Sequence, residues 1–273
     1  MTGLERFMEA KRREVEELER LGAEKLRPWR GERPSFSRAL ARGGAGPLAV
    51  IAEYKRASPS RGVICESLEP EDVARQYKEA GAAALSVLTE ERWFHGHISY
   101  LSRMASAMGQ GGESRLPLLR KDFLFHPAQV AATLATPASA LLLIVRLTPS
   151  ARTLRDLRER AEKGGVEAVV EVFDEEDLAL ARESGAHVIQ VNARDLASLR
   201  VDREACLRLI EKCPPKAGEL WIAASGMSCR ADLEEAAKRG FSAALVGSAL
   251  MEEGRPGEAL AALLGTQEAE DAD

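Results

Sequence analysis

Eight short apolar runs punctuate this chain, and a charged stretch of helical period follows each of them, an alternation that few folds accommodate. The runs are Leu48–Ala52, Ala84–Leu88, Leu116–Leu119, Ala140–Val145, Ala168–Val170, Val188–Val191, Leu220–Ala224 and Ala243–Val246. Continuous apolar segments of this length are expected of strands covered on both faces, as in a parallel sheet. Between them, Glu71–Ala80, Ser150–Glu162, Glu175–Glu183 and Ala231–Arg239 carry apolar residues at helical spacing among charges. Eight strand-then-helix units predict a closed (β/α)8, or TIM, barrel rather than an open six-stranded sheet. The 273-residue length agrees, since about 250 residues make one such barrel.

The polar residues fall at the ends of these runs. In Ile51–Gly62, reading I-A-E-Y-K-R-A-S-P-S-R-G, Glu53 and Lys55 stand two residues apart, which on a strand puts both on one face. A plain buried ion pair fixing a strand end is the simpler reading of that pair alone. The third run leads into Arg120-Lys121-Asp122-Phe123, the fifth into Glu171 and the sixth into Asn192. The seventh and eighth end in Ser225-Gly226 and Gly247-Ser248, small residues that let a backbone approach an anion closely. In a (β/α)8 barrel the strand carboxyl ends form the active face, and phosphate is commonly held after strands seven and eight. Acid/base groups facing a phosphate cradle are the pattern predicted here.

The segments I-A-E-Y-K-R-A-S-P-S-R-G, S-V-L-T-E, L-L-R-K-D-F, V-V-E-V, V-N-A-R-D-L, A-S-G-M and V-G-S-A-L-M resemble, in order and spacing, the indole-3-glycerol phosphate synthase family of tryptophan biosynthesis. The resemblance runs from about Leu4 to Leu264 and implies a carboxy-lyase that needs no cofactor. It implies Lys121 as the main general acid, with Glu53, Lys55, Glu171 and Asn192 completing the catalytic set. It further implies that Ser58, Phe94, Phe123 and Arg194 bind the substrate's aromatic end, and that Lys55, Ser225, Gly226, Gly247 and Ser248 hold its phosphate. Arg194 is alternatively a structural ion-pair partner of Asp195 or of a neighbouring helix. An N-terminal helical extension over the barrel is implied for residues 1–47, with the catalytic barrel at 48–265. A monomer is implied, and association with other tryptophan-pathway enzymes is left open.

Composition narrows the remaining classes. A net charge of −5 without a basic stripe argues against nucleic acid as a partner, and Lys11–Arg13 reads as a solvated helix face. The four cysteines and four histidines show no metal-ligand spacing, so no metal site is expected and the thiols are read as free. The charged N-terminus and the absence of an apolar run of about 20 residues predict a cytoplasmic protein without membrane contact. Leu4, Phe7, Met8, Val15 and Leu18 form a helical stripe suited to a partner surface or to capping the barrel's own edge, the second being what the resemblance implies, and Arg27–Pro34 links it to a short helix at Ser35–Ala41. Gly109–Gly112 reads as a surface turn, and Thr266–Asp273 as a disordered acidic tail.

One position departs from the family pattern: Ala224 in A-A-S-G-M stands where a glutamate is usual. The loss allows a rival reading, a catalytically impaired phosphate-binding barrel serving as a binding or regulatory module. A second rival, a related isomerase of the same barrel type, lacks the E-x-K-x-x-S-P-S opening. If the missing carboxylate normally keeps a lysine protonated, Ala224→Glu shifts the alkaline limb of the kcat/KM profile to higher pH. An unchanged limb would make Ala224 an ordinary small residue beneath the phosphate loops.

Overall fold

A computed structural model describes residues 3–109, 115–148, 150–194 and 200–266. Residues 110–112 of the expected Gly-rich turn, Asp195 and the acidic tail from Gln267 onward lie outside the described residues. Eight parallel strands close into a barrel: β1 (Ala49–Tyr54), β2 (Ala84–Leu88), β3 (Leu118–Leu124), β4 (Ala140–Ile144), β5 (Glu167–Val172), β6 (Val188–Asn192), β7 (Leu220–Ala224) and β8 (Ala243–Val246). Each pairs with its sequence neighbours, and β8 returns to β1 through Ile51 opposite Leu245. The outer helices include Pro70–Glu79, Ala151–Lys163, Glu175–Ser184 and Arg230–Lys238, within a residue or so of their predicted limits. No described helix is long and apolar enough to cross a membrane.

Side-chain alternation explains the strand sequences. On β1, Ile51 and Glu53 point into the barrel, while Val50, Ala52 and Tyr54 meet the helices, so both faces are buried and the run is apolar throughout. The strand β3 extends further than its apolar residues indicate, through Leu124, because its charges are buried rather than solvated. Lys121 and Phe123 face inward, and Arg120 and Asp122 face outward at 1% and 3% exposure.

Those outward charges dock the N-terminal helix Gly3–Leu21. Lys11 is a correction to the sequence reading: it is 4% exposed, and its ammonium lies 2.9 Å from Asp122 Oδ1. Arg12 and Arg13 beside it are exposed, as expected. Asp122 also accepts from Thr89 Oγ1 at 2.5 Å and pairs with Arg120 at 3.1 Å. Arg120 in turn donates to Thr133 Oγ1 at 2.9 Å and reaches Glu14 at 3.3 Å. Apolar periodicity cannot reveal this contact, because the residue that docks carries a charge. Phe7 (1% exposed) and Val15 (8%) supply the apolar part of the same face.

Below the barrel, the helix Phe36–Ala41 closes the opposite end with buried Phe36 and Leu40. The Glu167 carboxylate at the start of β5 accepts from the Phe36 and Ser37 amides at 2.7 and 3.0 Å, satisfying donors that a helix start leaves without partners. The linking segment is tied down by Arg33, which donates to the carbonyls of Leu134, Thr136 and Ala138 at 2.7–2.9 Å.

Burial alone would push the Asp122 carboxyl up, yet Lys11, Arg120 and the hydrogen bonds hold it at about 2. The folded value lies below the unfolded one, so this contribution to stability is present above about pH 4 and fades as pH falls toward 2. Lys11→Met leaves the carboxylate buried with one partner fewer and is expected to cost about 3 kcal/mol at neutral pH. Urea unfolding between pH 7 and pH 3 measures both effects. A variant as stable as the parent at neutral pH would mean that Phe7, Val15 and the remaining contacts of the helix, such as Arg120 with Glu14, hold it without Lys11.

Candidate active site

The inward residues at the upper ends of the strands line a cavity of about 380 Å³. Every residue singled out in the sequence borders it: Glu53, Lys55, Ser58, Phe94, Lys121, Phe123, Glu171, Asn192, Arg194, Ser225, Gly226, Gly247 and Ser248.

Strand β1 delivers Glu53, and Lys55 follows one residue past the strand end, its ammonium 2.9 Å from Glu53 Oε1. Ser86, opposite Glu53 in register on β2, donates to Oε2 at 3.2 Å. Burial raises the Glu53 carboxyl, but Lys55, then Lys121, and the hydrogen bonds from Lys55 and Ser86 outweigh it and hold the group below the usual carboxylate range. Glu53 is therefore an ionised anchor for lysine charge at neutral pH. Glycine at 247 leaves room for the pair, since a Cβ there would crowd the Glu53 carboxylate and lie 2.9 Å from Lys55 Nζ.

Across the cavity, Lys121 Nζ stands 3.8 Å from Glu171 Oε2, and Glu171 is 1% exposed. Glu171 Oε2 also accepts from Gln190 Nε2 on the neighbouring strand. Asn192 Oδ1 accepts from Arg194 N at 2.9 Å and from Ser225 Oγ at 2.8 Å, tying together the loops after β6 and β7. Ser225 and Gly226 take left-handed backbone conformations in succession (φ 67° and 77°). For a non-glycine residue such as Ser225 that conformation is uncommon. Gly247 precedes the short helix Ser248–Met251, where Leu250 N already donates to Gly247 O at 2.9 Å and the amides of Ser248 and Ala249, at the helix start, have no acceptor within the helix.

At the rim, Ser58 is 8% exposed, and its hydroxyl is buried without a hydrogen-bond partner among the described residues. Arg194 donates to Ser60 Oγ at 3.5 Å, and burial, followed by the nearby charge of Arg61, lowers its guanidinium from the ordinary value. Arg61 pairs with Glu252, joining the loop after β1 to the segment after β8 across the mouth. Cations and a hydroxyl lacking its bond make this rim suited to an anion.

The opposite wall is aromatic. Phe123 stacks on Phe7 with ring centroids 4.3 Å apart and an interplanar angle of 13°, and Phe94 lies 6.2 Å from Phe123. Phe94 ends the short helix Glu91–Phe94, whose amides are capped by the buried Glu90 carboxylate. In the sequence Phe7 belongs only to a packing stripe; that it also borders the cavity follows from where Lys11 pins the helix. Gln190 is likewise invisible to sequence reading, because a glutamine inside an apolar run gives no periodic signal. Ala224, 2% exposed, sits between Asn192 and Leu245 in register and leaves that part of the cavity floor apolar.

Paired lysines and carboxylates beneath small-residue loops, at the carboxyl end of a (β/α)8 barrel, define an acid/base site for an anionic substrate. Comparison with known proteins narrows the class. The family model for indole-3-glycerol phosphate synthase matches residues 4–263. The chain is 37% identical over 262 residues to the indole-3-glycerol phosphate synthase of Desulfotalea psychrophila, covering 95% of this chain and 97% of that protein. It is 40% identical to that of Koribacter versatilis, covering 84% and 85% respectively. Among solved structures it resembles a 3-hexulose-6-phosphate synthase (TM-score 0.62, 15% identity, covering 80% of this chain and 99% of that one), a likeness of fold alone. The chain belongs to the indole-3-glycerol phosphate synthase family.

The unpartnered hydroxyl gives a direct test. Ser58→Ala removes a buried group that has no bond to lose among the described residues, so thermal stability should stay the same or rise slightly. If the hydroxyl serves substrate, KM rises by about fivefold to tenfold, the worth of one hydrogen bond. An unchanged KM would show that Ser58 is passive packing.

Proposed function

We propose that this chain converts 1-(2-carboxyphenylamino)-1-deoxyribulose 5-phosphate to indole-3-glycerol phosphate, with loss of carbon dioxide and water, and that the cavity residues divide the work as follows. The substrate carries an anion at each end, and the cavity offers cations and hydrogen-bond donors at two separate places. The phosphate lies under Gly226, Gly247, Ser225 and Ser248, where backbone donors are fixed in advance, with the Lys55 ammonium adding charge. The carboxylate lies at Ser58 and Arg194. The aromatic ring rests against Phe94 and Phe123, with Phe7 behind them.

Ring closure joins the ring carbon bearing the carboxylate to the ketone carbon, so the ketone oxygen needs a proton as the bond forms. Lys121 gives that proton. Carbon dioxide then leaves and restores the aromatic ring. The hydroxyl made in the first step departs as water while a neighbouring carbon loses a proton, and this second stage needs a base and an acid. Glu171 takes part in that proton transfer, Lys55 assists with Glu53 holding its charge, and Asn192 orients the loops around the substrate.

What supports this reading most is the convergence of two lysine–carboxylate pairs, at 2.9 and 3.8 Å, on one cavity in a chain of this family. An impaired barrel has no observation in its favour. The replacement at Ala224 leaves both pairs in place.

Lys121→Ala should lower kcat by about a hundredfold to ten-thousandfold, the worth of a general acid, while substrate binding followed by calorimetry persists. Turnover close to that of the parent would remove Lys121 from this role.

A further inference from the structure

Beneath the floor of the cavity lies a buried amide that the ring-closure scheme leaves unused. Gln190 is 0% exposed, faces the barrel interior, and stands opposite Glu171 in the register of β5 and β6. Its Nε2 donates to Glu171 Oε2. Charge sets that orientation, because the flipped amide would place Oε1 against a carboxylate oxygen. Gln190 Oε1 is then buried with no partner among the described residues, and the register neighbour on its other side is the apolar Ile222. A glutamine serving packing alone has no reason to carry an unmet acceptor in a barrel core.

We propose that Gln190 is the positioning residue of Glu171 and follows its proton. When Glu171 is ionised, the amide N–H holds Oε2, which Lys121 Nζ approaches to 3.8 Å. When the carboxylate takes a proton from the substrate carbon, an O–H bond forms and the group becomes neutral. A half-turn of the amide then lets Gln190 Oε1 accept from that O–H. The proton passes to the departing hydroxyl, water leaves, and the amide turns back. Each protonation state of Glu171 thus has a hydrogen-bond partner in a core where an unmet polar group is costly. The inference rests on the proton-transfer role given to Glu171 above. Among the described residues, the charged groups lining the cavity above include Lys121 on β3, Glu53 with Lys55 on β1, and Arg194 and Arg61 at the rim; Asn192, one layer above Gln190, is neutral.

Two variants of nearly equal length test it. Gln190→Met removes both donor and acceptor; kcat should fall about tenfold or more, as for a lost hydrogen bond to a charged group, with KM within about twofold. Gln190→Glu restores a group that both donates and accepts when neutral but only accepts when ionised. Its kcat should approach that of the parent at the acid end of the profile and decline as pH rises. A Met variant with the parent's kcat, or a Glu variant with the parent's pH profile shape at uniformly reduced rate, would overturn the proposal. If the Met variant fails to fold, the profile of the Glu variant decides. Glu171→Gln separates the two levels of argument. Parental turnover there overturns the role of Glu171 and this inference with it, whereas an inactive Glu171→Gln beside a fully active Gln190→Met overturns the inference alone.

Discussion

The strand Leu118–Leu124 carries opposite obligations on its two faces, and much of the molecule is arranged around them. Alternation along a strand sends Lys121 and Phe123 into the cavity and Arg120 and Asp122 outward. Two outward charges in a barrel wall would be prohibitive without partners. Lys11, Thr89, Thr133 and Glu14 supply them, so the N-terminal helix is held where the charges lie. The same docking brings Phe7 against Phe123 and completes the aromatic wall. The extension is thereby joined to the site through one strand, with the lysine on one side and its anchoring carboxylate next to it in sequence.

Within the cavity, charge is organised by adjacency in the barrel. Glu53 is kept ionised by Lys55 and Lys121 against the cost of burial, and Gly247 leaves room for the pair. Glu171 and Lys121 face each other from β5 and β3, and Gln190 joins Glu171 from the next strand. The hydrogen bonds from Arg194 and Ser225 to Asn192 lock together the loops that border this arrangement. Each contact comes from an inward position at a strand end, where the parallel barrel gathers side chains from distant parts of the sequence.

The sequence makes the barrel legible because strands buried on both faces leave continuous apolar runs, and strand ends leave polar residues immediately after them. Glu53, Lys55, Lys121, Glu171 and Asn192 follow from that pattern together with the family motifs, and all border one cavity. Four features resist such reading. The full length of β3 is hidden because Arg120 and Asp122 look like loop residues until their partners are known. Lys11 looks solvated by the same logic, since a hydrophobicity pattern records the cost of burying charge but not a partner far away in the chain. Gln190 and the cavity-facing role of Phe7 depend on which side chains meet across the barrel, information that no local period carries.

The reaction proposed for the cavity is a decarboxylating ring closure carried out by its two lysine–carboxylate pairs. The most direct test is to incubate the purified protein with synthetic 1-(2-carboxyphenylamino)-1-deoxyribulose 5-phosphate, following indole fluorescence and released carbon dioxide together. Product fluorescence should rise with turnover, and carbon dioxide should appear in equal amount. Substrate that binds to the folded protein but yields neither product would contradict this chemistry.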